Sequence, residues 1–513
     1  MKFPAPALAL TPQTEIGAFA TTVAWLIRRA LLPAAIVLIA EVAILFITGN
    51  PGAVAFAMIA GGAYFICAVW QTDAIGLPIM PLIAVQYLVV YGLPIVIDHE
   101  VIHSYPVAYL SRAGLEVLLF SLSLTAAWRF GMLAMQPALP ISYGLHGFRQ
   151  QSGRQLRRLG FSLILASTAY LVAQSLGLLN QIYSMLPTGS YSVLTSLTSA
   201  TSVCGFFLIA MFVGSGVMSP GIRLLFWLLL ATNGLLSAAG FLLSAATATL
   251  AATLIGLFWS TGRMPWRFLV VVTVVLSFLN LGKFTMRERY WPNPGEPEFQ
   301  FQLTQIPRYY GEWAEASYDA LSPTPRDSVF EATHTTKGQS LLDRINNLQN
   351  LLFVIDAIDN GHITPLYGET YTLIPFLLVP RIFWPDKPRS HEGQVLLNVH
   401  FGRQDLNSTF DTYVAWGLLP EACGNFGEKL GGLMLGAVLG LLFAWVENQT
   451  ARKLLLSLEG FIAFIILLSM ANSFEMVASV LVTTISQSVI VLIIGGIFFV
   501  ERTQPRRPPG SAS

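Results

Sequence analysis

Apolar runs of about 20 residues recur along the chain with short polar breaks, and this limits what it can fold into. In lipid every backbone N–H and C=O must find a partner within the protein, so only helices or closed barrels can span, and runs this long fit helices. That rule gives about twelve candidate spans: 31–48, 52–70, 77–97, 110–134, 159–178, 191–214, 222–238, 241–260, 266–284, 429–446, 454–470 and 477–500. Composition agrees: only 11% of the 513 residues are charged, against roughly 25% in soluble domains. The expected fold class is all-α, a polytopic membrane protein. Gly49-Asn50-Pro51 parts the first two spans and Ser219-Pro220-Gly221 precedes the seventh. The break near Ala239-Gly240 is the weakest, and eleven spans is the alternative count.

Lys and Arg in short loops set orientation. Arg28 and Arg29 precede the first span, and Arg149, Arg154, Arg157 and Arg158 lie between the fourth and fifth. Arg263 and Arg267, then Arg452 and Lys453, then Arg502, Arg506 and Arg507 follow. With twelve spans all of these fall on one side. Both termini are therefore predicted cytoplasmic, with the first span serving as an uncleaved signal. Four regions follow: an N-terminal bundle of about nine spans (1–284), a large outer loop (285–428), three C-terminal spans (429–500) and a tail (501–513). Cys67, Cys204 and Cys423 cannot build a disulfide framework.

The outer loop is polar, charged and aromatic. Its prolines from Pro292 to Pro325 read as irregular connection. Leu341, Leu342, Ile345, Leu348, Leu352 and Ile355 recur at helical spacing, which predicts an amphipathic helix at the membrane surface or over the bundle. Tyr371 to Val379 is apolar but too short to span, which suits a re-entrant or interfacial segment. Phe383 and Trp384 have interfacial chemistry, and Pro385 and Pro388 stiffen the turn.

Arg344, Arg381, Lys387, Arg389 and Arg403 form a cationic set in this loop. Arg binds phosphate bidentately and Lys as a point charge, so the set suits a pyrophosphate-linked lipid. Ion pairing with Asp343, Asp386, Glu392 and Asp405 is the competing use. Asp411, Glu421 and Glu428, with His391 and His400, are the groups able to act as a base toward a sugar hydroxyl, and spacing does not choose among them. No metal-ligand motif occurs in the loop, so no metal or cofactor is expected, nor is a nucleic-acid partner. Gly431-Gly432, Gly436 and Gly440 are spaced for close helix packing. Among charged residues inside spans, Glu41 needs a partner. Arg112 and Glu116, four residues apart, are expected to pair within their helix.

The motifs Pro380-Arg-Ile-Phe-Trp-Pro-Asp-Lys-Pro388, Ser408-Thr409 and Pro420-Glu-Ala-Cys-Gly-Asn-Phe-Gly427 run into a Gly-rich span. In this the chain resembles the Wzy-type oligosaccharide repeat-unit polymerases of bacterial envelopes. The specific part covers about 50 residues. The resemblance implies a GT-C-like fold in the bacterial inner membrane with the large loop periplasmic. It implies transfer of a glycan from a polyprenyl pyrophosphate to another lipid-linked repeat unit. The polyprenyl-pyrophosphate-linked oligosaccharide, membrane lipid and a chain-length regulator protein would then be partners. Carried over, Arg381 and Lys387 hold pyrophosphate, with Arg344 and Arg389 beside them. Glu421 lines the acceptor site as a base or sugar partner, with His391 and Asn425 nearby, and Trp384 and Tyr413 stack on sugars. A ligase moving finished glycan from the same carrier shares this architecture. A flippase for lipid-linked glycan belongs to another class and should show internal repeats, of which none is evident.

Overall fold

The computed structural model describes residues 16–135, 153–179, 190–241, 243–291, 302–321, 345–379, 387–406, 408–411, 414–451, 458–471 and 476–499, with positions 185, 384, 453 and 473 besides. Among them no strand occurs. The first stretch contains α1 (Ile16–Ile47), α2 (Ala53–Asp73), α3 (Ile79–Val96), α4 (Val107–Ala134), α5 (Gly153–Ser175), α6 (Ser190–Gly214), α7 (Pro220–Ala238), α8 (Leu243–Thr261) and α9 (Trp266–Tyr290). The insert holds α10 (Ile306–Leu321), α11 (Leu348–Asp359), α12 (Glu369–Thr372), α13 (Ile374–Leu378), α14 (Glu392–His400), α15 (Ser408–Asp411) and α16 (Leu418–Phe426). The chain closes with α17 (Leu430–Thr450), α18 (Leu458–Ala471) and α19 (Ala478–Phe499).

Among the described residues eight helices are long and apolar enough to cross a membrane: α1 to α4, the Leu197–Gly214 part of α6, α7, α9 and α17. Shorter apolar stretches occupy α8, α18 and α19. This is the architecture of a multi-pass membrane protein. Each of the twelve apolar runs falls on one of α1–α9 and α17–α19. At the weakest break, Phe241 adopts a left-handed backbone (φ 61°) and is fully buried. Its carbonyl accepts two N–H groups of Arg287 at 3.1 and 3.0 Å, so α7 and α8 are separate helices.

The central contact is between α4 and α17, and backbone proximity makes it. A Cβ at Gly432 would lie 2.8 Å from the Glu116 carbonyl oxygen, and one at Gly436 would lie 2.5 Å from that of Phe120. Gly440 meets the Leu124 carbonyl in the same way. The small-residue stripe is thus the surface on which two main chains touch. Both numberings ascend along this seam, so α4 and α17 run parallel. Ala55 lies against Gly114 and Gly62 against Ser121, so α2 runs the same way.

The start of α1 lies beside the end of α17, where Ile16 N donates to Lys453 O at 2.9 Å and Gly17 N to Ala451 O at 3.1 Å. Helix α1 therefore begins at the end of the bundle opposite the insert. It begins well before residue 31 because Arg28 and Arg29 interrupt the apolar run without interrupting the helix.

One part of the insert differs from expectation, and a second takes one of the two placements expected for it. The proline-punctuated region contains α10, which folds back along α9. Trp313 Nε1 donates to Leu279 O at 2.6 Å, and Gly282 N donates to Ser317 Oγ at 3.2 Å. Glu312 accepts from Tyr290, Arg289 and Arg308, completing the clasp. The expected amphipathic helix is described from residue 345, and α11 is a buried cap over the bundle. Leu348, Leu351, Leu352, Val354 and Ile355 are all fully buried, and α11 packs on α4 and α16. Leu341 and Leu342 lie outside the described residues.

Its seat on α3 is a loosened turn. Leu88–Gly92 winds as a π-helix, a form that often marks functional or strained positions. Val90 O accepts Asn347 N at 3.0 Å, and the Tyr91 hydroxyl accepts Asn347 Nδ2 at 3.1 Å.

Candidate functional site

Polar groups concentrate where the insert meets the ends of α3, α4, α17 and α19. The first cluster begins at Arg112 on α4. The expected Arg112–Glu116 pair does not form. Arg112 makes a two-pronged contact to Glu428, with Nε–Oε2 at 2.8 Å, and donates to Asp359 Oδ2 at 2.9 Å. Tyr109 OH also donates to Asp359, at 2.7 Å. Glu116, one turn further in, accepts the backbone N–H groups of Lys429 and Gly432, both at 2.6 Å. A carboxylate at a helix N-terminus satisfies donors that the helix cannot, and it meets the positive end of the dipole. Long-range partners therefore displaced the local pair. Arg129 likewise pairs with Asp73. Glu41 is partly exposed and makes no hydrogen bond or ion pair among the described residues.

The second cluster is built around Glu421 on α16. The side chain is fully buried. Oε1 accepts Thr370 Oγ1 at 2.8 Å, and Oε2 accepts the backbone N–H of Ala478 at 2.6 Å. Asn425, also fully buried, donates through Nδ2 to Thr370 Oγ1 at 2.9 Å and to Glu421 O at 2.8 Å. Glu421 thus ties α16 and α12 to the first residue of α19. Burial pushes its pKa up to about 7, against the lowering effect of the Ala478 and Thr370 donors. The structure brings Glu421 and Asn425 together but presents neither to an open surface. Cys423, on the same helix, is fully buried, and burial raises its thiol pKa well above the ordinary value, which makes a nucleophilic role unfavourable.

Trp384 lies beside α13. Trp384 is 39% exposed and sits edge-on to Phe376, with ring centres 5.9 Å apart. Lys387 Nζ donates to the carbonyls of Leu377 at 2.7 Å and Val379 at 2.6 Å. Those carbonyls lie at the end of α13, where helical partners run out. Lys387 is thus engaged inside the fold. Arg389 is exposed. His391 Nδ1 lies 2.7 Å from Gln394 Oε1, and His400 Nε2 lies 2.7 Å from Thr364 O. Arg344, Arg381 and Tyr413 lie outside the described residues.

The third cluster links Arg403 to the π-turn. Arg403 donates to Asn350 Oδ1 at 2.8 Å, Asn350 Nδ2 to Asn347 Oδ1 at 2.6 Å, and Asn347 to Tyr91. Trp416 Nε1 closes the side by donating to Asn398 Oδ1 at 2.6 Å.

Sequence reasoning passed over Asp359, Tyr109, Thr370, Asn350 and Glu447. Glu447 is fully buried at the far end of α17 and accepts Trp70 Nε1 at 2.9 Å and Trp128 Nε1 at 3.2 Å. Its place inside an apolar run was the available signal. Among the described residues no group of three or more His, Cys, Asp or Glu is placed to hold a metal ion. No family model, no curated protein and no solved structure matches the chain.

Proposed function

We propose that the chain is a membrane glycosyltransferase that polymerises oligosaccharide repeat units carried on a polyprenyl pyrophosphate. The reaction takes place at the outer face of the bacterial cytoplasmic membrane, and the chain crosses that membrane twelve times. The observation that carries this reading is the meeting of three things at one end of an apolar bundle. Cations (Arg112, Lys387, Arg389 and Arg403), an exposed Trp384 and half-open carboxylates all stand on the insert, or on the helix ends beneath it. A lipid-linked glycan has a matching layout, with a tail for the apolar bundle, a pyrophosphate at the interface and sugars above.

The parallel run of α2, α4 and α17 supports the count, because it needs an odd number of crossings between α4 and α17, and α5–α9 supply five. The cytoplasmic placement of the termini rests on the Lys and Arg clusters of the short loops.

In the proposed reaction a sugar hydroxyl of the acceptor attacks the anomeric carbon that bears the pyrophosphate. The hydroxyl proton passes to a base, and the lipid pyrophosphate leaves with the bonding electrons. Arg381, with Arg389 and Lys387 beside it, would hold the leaving group. Glu421 could act as the base only after its Thr370 and Ala478 bonds open. Asp359 and Glu428, both paired with Arg112, have 46% and 18% of their side chains exposed, and Glu369 and Asp405 are exposed at this end as well.

Deleting the gene and resolving the surface glycan on a gel tests the reading, which expects single repeat units. Long chains retained on the lipid carrier would replace it with a ligase, and absence of outward-facing units would replace it with a flippase. Arg381→Ala is expected to abolish polymerisation while the protein still inserts, and full-length chains in that variant would refute the pyrophosphate assignment.

A further inference from the structure

Two of the described cations at this end of the molecule are answered within the fold. Arg112 meets two carboxylates, and Lys387 meets two helix-end carbonyls. Arg403 is different. It follows α14, is partly buried, and among the described residues has no carboxylate within ion-pair distance. A guanidinium keeps its charge in a protein and carries five N–H donors. One of them is committed to Asn350 Oδ1 at 2.8 Å. The guanidinium carbon lies 5.3 Å from the Phe353 ring centre and 5.8 Å from that of Trp416. Ring faces hold a cation in place but do not satisfy its remaining N–H groups. Burial lowers its pKa, the mark of a charge withdrawn from water with no anion supplied in return.

Its orientation is fixed in advance. Asn350 Nδ2 lies within hydrogen-bonding distance of three acceptors: Asn347 Oδ1 at 2.6 Å, Trp416 O at 3.0 Å and Ala415 O at 3.1 Å. The amide therefore cannot flip, and its oxygen always faces the guanidinium. Beyond it Asn347 is anchored to the π-turn of α3. A desolvated cation aimed by a fully bonded frame, with donors left over, is preorganised for an oxoanion.

We propose that Arg403 is an oxoanion-binding residue that takes a phosphoryl or carboxylate group of the substrate on the N–H groups Asn350 leaves free. The pyrophosphate of a lipid carrier and the carboxylate of an acidic sugar both present this chemistry. The site deepens the polymerase reading and rests on it for the choice of these two probes. Polymer length is not its readout, so the two fail separately.

The test uses the full chain purified in detergent, treated with phenylglyoxal and mapped by peptide mass spectrometry, with inorganic pyrophosphate in one arm and glucuronate in the other. At saturation, the arm that carries the natural chemistry slows modification of Arg403 at least about tenfold. In R403Q the affinity for that anion, read by calorimetry, falls about 10- to 100-fold, the loss of one or two charge-assisted bonds. Protection by neither anion overturns the proposal, as does undiminished affinity in R403Q. An Arg403 that the reagent never reaches overturns it too, because the site requires open donors. Protection is measured on the wild-type chain, so the outcome stands even if R403Q does not fold.

Discussion

Replacing Glu421 by Gln separates the charge of this buried group from its shape. The wild-type carboxyl has a pKa of about 7 in the fold, against an ordinary value of 4.5. The folded state therefore holds a proton that the unfolded chain gives up between these values, and stability falls as pH rises through that window. The span of about 2.5 units corresponds to about 3 kcal/mol, fully present below pH 4.5 and fully lost above pH 7. Gln mimics the protonated form. Its oxygen can still accept Ala478 N–H, and its NH2 can donate to Thr370 Oγ1. E421Q should match wild type near pH 5 and exceed it near pH 8 by up to about 3 kcal/mol. Glu421→Ala, by contrast, strands the Ala478 and Thr370 donors and should lose roughly 2–4 kcal/mol at both pH values. The assay is thermal unfolding in detergent from pH 5 to 8, scored as the difference between variant and wild type at one scan rate. If E421Q and wild type lose stability in parallel as pH rises, Glu421 is not the group that titrates, and the assignment fails.

Two further outcomes follow from the seam between α4 and α17. Glu116→Gln keeps the shape but turns an amide donor toward one of the two N–H groups at the start of α17, so unfolding should accelerate by the equivalent of about 2–4 kcal/mol. An unchanged unfolding half-life would argue against the cap. Gly436→Ala places a Cβ 2.5 Å from the Phe120 carbonyl oxygen, while a Cβ at Gly234 would meet nothing within 4 Å. The first should cost about 1–3 kcal/mol and the second should be neutral or stabilising by up to about 1 kcal/mol, and equal melting temperatures would refute the backbone contact.

The helices were legible because an apolar run of membrane length has few alternatives. Among the described residues every run lies on a helix, even the two that part at Ala239-Gly240, where the deciding contact was Arg287 on the Phe241 carbonyl. What could not be read was pairing at a distance. Arg112 and Glu428 are 316 positions apart, and an i,i+4 rule sees only Glu116. Glu421 looked like a free acid because its partners, Thr370 and Ala478, belong to separate elements. Lys387 read as a phosphate ligand for a similar reason, since nothing in its neighbours says that two carbonyls need it. Helix α10 was missed although Pro307 stands at its start, where proline is at home. The prolines on either side drew attention to irregularity, while Tyr309, Trp313 and Ser317 already marked one buried face.

The π-turn at Leu88–Gly92 has a consequence for how this protein can vary. A π-turn amounts to one residue more than a regular α-helix needs over the same rise. Because Val90 offers its carbonyl to Asn347 from that turn, the docking of α11 depends on main-chain spacing more than on which side chains occupy α3. Conservative substitutions along the turn would leave the cap seated. Removing a single residue would let the turn close into regular α-helix with its flanks nearly in place, and would withdraw the acceptor that seats α11. The register between membrane bundle and insert is thus stored as chain length, a quantity that drift by point substitution cannot erode.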